Sequence, residues 1–250
     1  MSLLQNLTTD ESIANEKDSV GGGFAPMETA IYKSTISLAY LQKSAGGALS
    51  LVLHMMSEAG KEFRQTIWMT SGDAKGNKNF YIDKNNDKQY LPGFNLANSL
   101  CLLTVAKEIS QMKTEKKTVP LYNFDAKAEV PTSVDMIMDL LGKEVYSAVF
   151  KQTVDKNAKG DDGKYYPTGE TRDENEIDKF FRITDKLTTQ EVRAGATDAA
   201  FFDTWEQKFT GQTRNKAKGA SGTAGTPGQS RPPMMSQGAM KAPAQSLFAQ

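Results

Sequence analysis

Apolar and polar residues alternate along three early stretches of this chain. From Ile31 to Leu41, Tyr32, Ile36, Leu38 and Tyr40 fall on one side, and Lys33, Thr35 and Ser37 on the other. Next, Leu49, Leu51, Leu53 and Met55 alternate with Ser50, Val52, His54 and Met56. In the third stretch, KEFRQTIWMTSGDAKGNKNFYIDK (residues 61–84), Phe63, Ile67 and Met69 face a core. Arg64, Thr66, Trp68 and Thr70 face away, and Gln65 interrupts the apolar side. A period of two predicts half-buried strands. Turns at Gly46-Gly47 and Glu58-Ala59-Gly60 join them into an antiparallel meander.

Beyond Leu91-Pro92-Gly93 the period lengthens. Phe94, Ala97, Cys101, Leu102 and Val105 recur at helical spacing and predict a helix over 94–109. QMKTEKKT (111–118) reads as a solvated linker and VPLYNFDAKAEVP (119–131) as an extended segment between prolines. VDMIMDLL (134–141), with Thr132 or Ser133 as cap, predicts a short helix that stops at Gly142. KEVYSAVFKQTV (143–154) is a strand, 156–176 a long hairpin-like loop, and IDKFFRITDK (177–186) a last strand. Residues 198–208 form a closing amphipathic helix.

This order predicts a mainly β protein with a few helices. The expected architecture is a five-stranded OB-like barrel with insertions over residues 26–208. A β-sandwich with appended helices is the rival. Residues 1–25 are polar and acidic and are expected to form a flexible arm. Residues 209–250 are rich in Gly, Ala and Pro and are expected to form a disordered basic tail.

The chain has 250 residues, with 30 Lys plus Arg against 30 Asp plus Glu. The neutral total hides a division. Residues 1–30 carry net −4, 31–127 carry +5, 128–208 carry −6 and 209–250 carry +5. Local fields decide what a protein attracts, so a polyanionic partner is compatible with this chain. One cysteine, Cys101, excludes an internal disulfide framework and a multi-cysteine zinc site. One histidine, His54, excludes a histidine cluster. No apolar run approaches the roughly 18–20 residues that cross a bilayer. The N-terminal stretch lacks the early positive charge and long apolar run of a secretory signal. No membrane association is expected.

Catalytic and metal signatures fail on inspection. Asp83, Asn85 and Asp87 begin like a calcium loop, but Lys88 stands where glycine is required and Phe94 where the bidentate glutamate belongs. GDAKGNKN lacks the Gly-Lys-Ser/Thr ending of a phosphate-binding P-loop. Cys101 lies in the apolar run CLLTV and reads as inert core. No enzyme activity and no cofactor are expected.

The open side of the meander gives a sharper signal. It would display Lys33, His54, Arg64 and Trp68, followed by a loop holding Lys75, Lys78, Phe80, Tyr81 and Lys84. Flat rings beside fixed cations suit single-stranded nucleic acid: bases stack on aromatics at about 1–3 kcal/mol each, and phosphates take the cations. These nine residues are the candidate DNA-binding set. A second group is Lys156, Lys159, Lys164, Tyr165, Tyr166 and Arg172, but it is interspersed with seven acids and reads as a solvated hairpin.

The blocks YKSTISLAYLQKSAGGALSLVLHM, GKEFRQTIWMTSGDAKGNKNFYIDK and YLPGFNLANSLCLLT, with GKEVYSAVFKQTVDKN and YPTGETRDENEIDKFFR after them, resemble single-stranded DNA-binding proteins of tailed bacteriophages. The likeness spans roughly residues 27–185. It implies an OB-type barrel that coats single strands during replication, recombination or repair, without catalysis, in the cytoplasm of an infected bacterial host. It assigns no individual contact residue. Many single-strand binders recruit replication or recombination proteins through an acidic C-terminal tip. This chain ends RPPMMSQGAMKAPAQSLFAQ and has no acid beyond Glu206, so an acidic tip is not expected; the expected roles of the basic tail are a solubilising stretch, weak phosphate contacts, or docking on a partner through Leu247-Phe248. The alternative expectation is a structural β-rich phage protein, or a protein-interaction module, that binds no DNA.

Overall fold

A computed structural model describes residues 25–123, 126–160 and 165–218. In chain order the elements are β1 (Ala30–Lys43), β2 (Leu49–Ser57), β3 (Glu62–Trp68), β4 (Phe80–Ile82), β5 (Lys88–Tyr90) and α1 (Pro92–Val105). They continue with β6 (Glu115–Asn123), β7 (Ala128–Met136), β8 (Glu144–Lys159), β9 (Tyr165–Phe181), α2 (Thr189–Arg193), α3 (Ala200–Phe209) and β10 (Thr213–Asn215). The described residues are mainly β with three α-helices, as the alternation predicts.

β1 is the spine. One edge pairs antiparallel with β2, which pairs with β3. The other edge is shared: its first half pairs with β8 (Ala30 opposite Val149), its second half with β7 (Tyr40 opposite Met136). β9 extends the sheet beyond β8, and β6 extends it beyond β7. The sheet does not close. β3 and β9 approach at its open edges, where the Gln65 side-chain carbonyl accepts from the Ile177 N–H. Among the described residues no backbone ladder joins these two strands. Gln65, the polar break in an apolar row, thus serves as the bridge across the gap.

The main core lies between the sheet and α1. Ile36, Leu51, Leu53, Met55, Phe63 and Ile67 bury against Ala97, Leu100 and Cys101. Burial pushes the Cys101 thiol up to about 12, so it is inert core as expected. Gly93, in the first turn of α1, lies flat on β3: a Cβ there would sit 2.0 Å from the Trp68 carbonyl oxygen. Only a residue without a side chain lets the helix enter at that depth.

On the sheet's other face, α3 packs Phe202 and Trp205 against Phe150 and Phe181. The Trp205 indole N–H donates to Asp178 Oδ2 at 2.9 Å. At the far end of that face Tyr40 and Val52 bury with Val134 and Met136 of β7. Tyr40 was expected on the core side with Ile36. The register slips between Ile36 and Leu38, so the strand bulges at Ser37 and everything after it changes face. Ala39 joins the main core; Leu38 and Tyr40 turn to the opposite side.

Four expectations along the chain need correction. The polar stretch before Val119 is not a linker, because β6 starts at Glu115 and forms a hairpin with β7. The 134–141 helix is absent: Val134 and Met136 belong to β7, and only Met138–Leu140 makes a single 3-10 turn. The 156–176 loop is a strand ribbon, with β8 running to Lys159 and β9 starting at Tyr165. The folded chain also runs past residue 208. β10 pairs parallel with Lys151–Thr153 of β8, and the Arg214 guanidinium lies 3.1 Å from the Phe150 ring centroid. The arm before Ala25 and the tail beyond Lys218 lie outside the described residues. Among the described residues no helix is long and apolar enough to cross a membrane.

Candidate functional site

β3 ends at Trp68 and the chain leaves the sheet for 11 residues before β4. Three local devices shape that excursion. The Leu49 N–H donates to Thr70 Oγ1 at 2.8 Å, and the Thr70 hydroxyl donates in turn to Asn77 Oδ1. The Asp73 N–H donates to the Gly46 carbonyl at 2.9 Å, tying a 3-10 turn (Asp73–Lys75) to the β1–β2 turn. Gly72 and Gly76 take φ of 81° and 73°, which side-chain-bearing residues rarely adopt. The excursion returns as the short hairpin β4–β5, closed where the Leu91 N–H donates to the Asn79 carbonyl at 2.9 Å.

The hairpin gathers rings and cations. Phe80 pairs with Tyr90 across the ladder, edge to face with centroids 6.4 Å apart. Lys88 Nζ lies 4.1 Å from the Phe80 centroid and 4.8 Å from that of Tyr90. Lys78 Nζ lies 5.7 Å from Phe80. Tyr90 in turn stacks on Phe94 at 5.3 Å, joining the hairpin to the first turn of α1. Cations over ring faces are held in place without acid partners that would cancel their charge. Tyr81 points outward and is 52% exposed.

The nine candidate residues separate by environment. Lys78, Phe80 and Tyr81 come together on the hairpin. Lys75 is exposed on the 3-10 turn, and Lys84 is exposed in the β4–β5 turn. That turn is organised by the Asp83 carboxylate, which accepts the N–H groups of Asn85 and Asp87 at 2.9 Å each. These bonds, the Asp87 one foremost, hold the Asp83 carboxyl below its usual range. The calcium-like spacing is thus used for a turn, and the described residues contain no cluster able to hold a metal ion. Trp68 is half-buried on the sheet face opposite the main core, opposite Ser50 of β2. Arg64 is exposed on the same face, its Nε 3.1 Å from Glu62.

Two candidates are less open to a ligand than the rest. His54 is only 6% exposed, edge-on to Tyr40 at 6.1 Å, with Nδ1 3.5 Å from Glu62. Burial, then Arg64, lowers its proton affinity against the pull of Glu62. Tyr40, brought over by the Ser37 bulge, covers most of the His54 ring. Lys33 forms a surface pair with Glu144 at 3.0 Å, and that hydrogen bond raises its pKa; Arg64 likewise forms a surface pair with Glu62.

The sequence reading missed Lys88 and Tyr90. They lie four and six residues past Lys84, where the loop it singled out ends, and only the hairpin register places them beside Phe80. The pairing of FYI with KQY around the turn-forming DKNND was the available signal. Beneath the hairpin lies a cleft of about 420 Å³, between Leu49 and Met69 on one side and Phe94 and Ile109 on the other, with Lys78 and Phe80 at its rim. In the second ribbon group, Lys156 pairs with Glu170 at 2.7 Å and Arg172 with Glu174 at 3.1 Å; Lys164 lies outside the described residues. Compared with known proteins, the chain matches no family model and no curated relative.

Proposed function

We propose that this protein binds single-stranded DNA without marked sequence preference and without catalysis, in support of phage DNA replication, recombination or repair. The observation that supports this most is the β4–β5 hairpin, where Lys78 and Lys88 flank Phe80 and Tyr90 with no acid pairing among the described residues. Lys75, Lys78, Lys88 and Arg64 would meet phosphates; Trp68, Phe80, Tyr81 and Tyr90 would stack bases. Stacking accepts every base, so affinity needs no sequence code. We read β1–β3, β8 and β9, filled by α1, as an OB-like barrel left open between β3 and β9. The Gln65 bridge supports that reading.

The test uses tryptophan emission. Trp205 is 1% exposed, so a ligand that quenches fluorescence reports on Trp68. Adding oligo-dT should quench it, and Trp68→Phe should abolish the change. Log affinity should fall linearly with log salt, by about 0.7 per phosphate neutralised. An unchanged emission spectrum, with no salt-dependent retention of a labelled oligonucleotide, removes the proposal. In that case rings or tubes seen by light scattering would point to a structural β-rich phage component instead.

A further inference from the structure

The cleft beneath the hairpin has a shape and chemistry of its own. Its volume, about 420 Å³, falls within the range of small-molecule sites, about 300–1,000 Å³. Leu41, Leu49, Met69 and Ile137 supply an apolar floor, and Phe80 and Phe94 supply ring walls. Its far wall is the 3-10 turn Ile109–Gln111, pinned in two ways. Glu108 and Gln111 cap each other's backbone, and Asn98 Oδ1 accepts the Ile109 N–H at 2.9 Å. The wall is therefore built in advance rather than formed around a ligand.

The mouth is polar. Asn79, Ser110 and Thr114 line it, and none of their side chains is engaged in a hydrogen bond among the described residues. Asn77 spends its carbonyl oxygen on Thr70, which leaves its NH₂ to the cleft. A carboxamide presents a donor and an acceptor side by side, which matches the edge of a nucleobase. Lys78 stands at the same rim, where a phosphate on the sugar of that nucleotide would lie.

A flat ligand with two apolar faces, a hydrogen-bonding edge and a nearby negative charge fits all of these features. A lipid tail would leave the carboxamides unsatisfied, and a free anion would leave the apolar floor empty. We propose that the cleft receives one unstacked nucleobase of the bound single strand, with Asn79 reading its edge. This rests on the single-strand reading and deepens it. Most of the footprint is indifferent to sequence, while one position per protein discriminates between bases.

The experiment measures affinity of the full chain for labelled dT, dA and dC homopolymers and for a strand of equal length with abasic backbone, at several salt concentrations. Ser110→Phe fills the mouth from an exposed turn position; Asn79→Ala removes the edge contact and leaves the backbone bond to Leu91 in place. In both, the ratio of the tightest homopolymer to the abasic strand should fall about tenfold from wild type. The spread among homopolymers should narrow, while the slope of log affinity against log salt stays the same. If both variants keep the wild-type ratio and spread, the base pocket is overturned and single-strand binding stands. If wild type retains none of the strands at low salt, the single-strand reading falls, and the pocket with it. Should circular dichroism show Ser110→Phe misfolded, Asn79→Ala decides alone.

Discussion

Trp68, Lys88 and His54 do different physical work. Trp68 keeps part of its ring in water, so Trp68→Ala should weaken oligo-dT binding by about 1–3 kcal/mol with little change in stability. Lys88 touches two rings on the β4–β5 hairpin. Lys88→Ala should lower affinity at low salt and reduce the salt slope by about 0.7, as one lost phosphate contact requires. His54 belongs to the interior. Burial holds its pKa below the usual 6.5, with Arg64 helping and Glu62 opposing. As pH falls through about 6.5 the unfolded chain binds that proton first, so the folded state loses stability from there down to the lowered folded pKa. The urea midpoint of wild type should therefore drop more between about pH 7.5 and about pH 5.5 than that of His54→Phe, and a parallel drop in both would contradict this account.

Single residues act through the elements that hold them, and the junction of β3 with α1 shows this most directly. Gly93→Ala would drive a methyl group into the Trp68 carbonyl, a backbone atom that cannot swing aside. The helix would have to withdraw from β3, loosening Ala97, Leu100 and Cys101 from the core and shifting Trp68 with them. Thermal unfolding should fall markedly, and oligonucleotide quenching should weaken in the same variant. The three-strand meander and α1 were legible in the residue pattern because each buries one face against a single core, and burial of one face imposes a period. The β6–β7 hairpin and the β8–β9 ribbon were not. Much of Glu115–Asn123 and of Tyr165–Glu174 meets water on both sides, so no alternation marks those strands. Val134–Leu141 was apolar enough to look helical, because β7 buries only Val134 and Met136 before the chain turns.

The molecule as a whole sets where the domain ends. Thr213–Asn215 adds a strand beside β8, Arg214 covers Phe150, and the Gly211 N–H donates to the Thr29 carbonyl at 2.9 Å. A chain truncated after residue 218 should keep the stability of the full chain, while one truncated after residue 208 should unfold at lower temperature; equal melting of the two would refute a structural role for β10. The division of charge gains meaning on the same scale. The positive segment 31–127 holds the meander and the ring-bearing hairpin, and several acids of 128–208 pair with cations along the β8–β9 ribbon, as with Lys156–Glu170 and Lys216–Glu176.

Local alternation was enough to establish a mainly β chain, to identify the meander and its following helix, and to flag the basic aromatic loop, because these depend on neighbours in sequence. Two features depended on residues farther apart in the chain, and one on the register of a short hairpin. A bulge at Ser37 reversed the faces of β1 and buried His54 under Tyr40. The β4–β5 register carried Lys88 and Tyr90 to Phe80. Packing of Ile109 and Phe94 across from Leu49 and Met69 opened the cleft. Pairing register and close packing are set by the sum of distant contacts, and no window of sequence contains that sum.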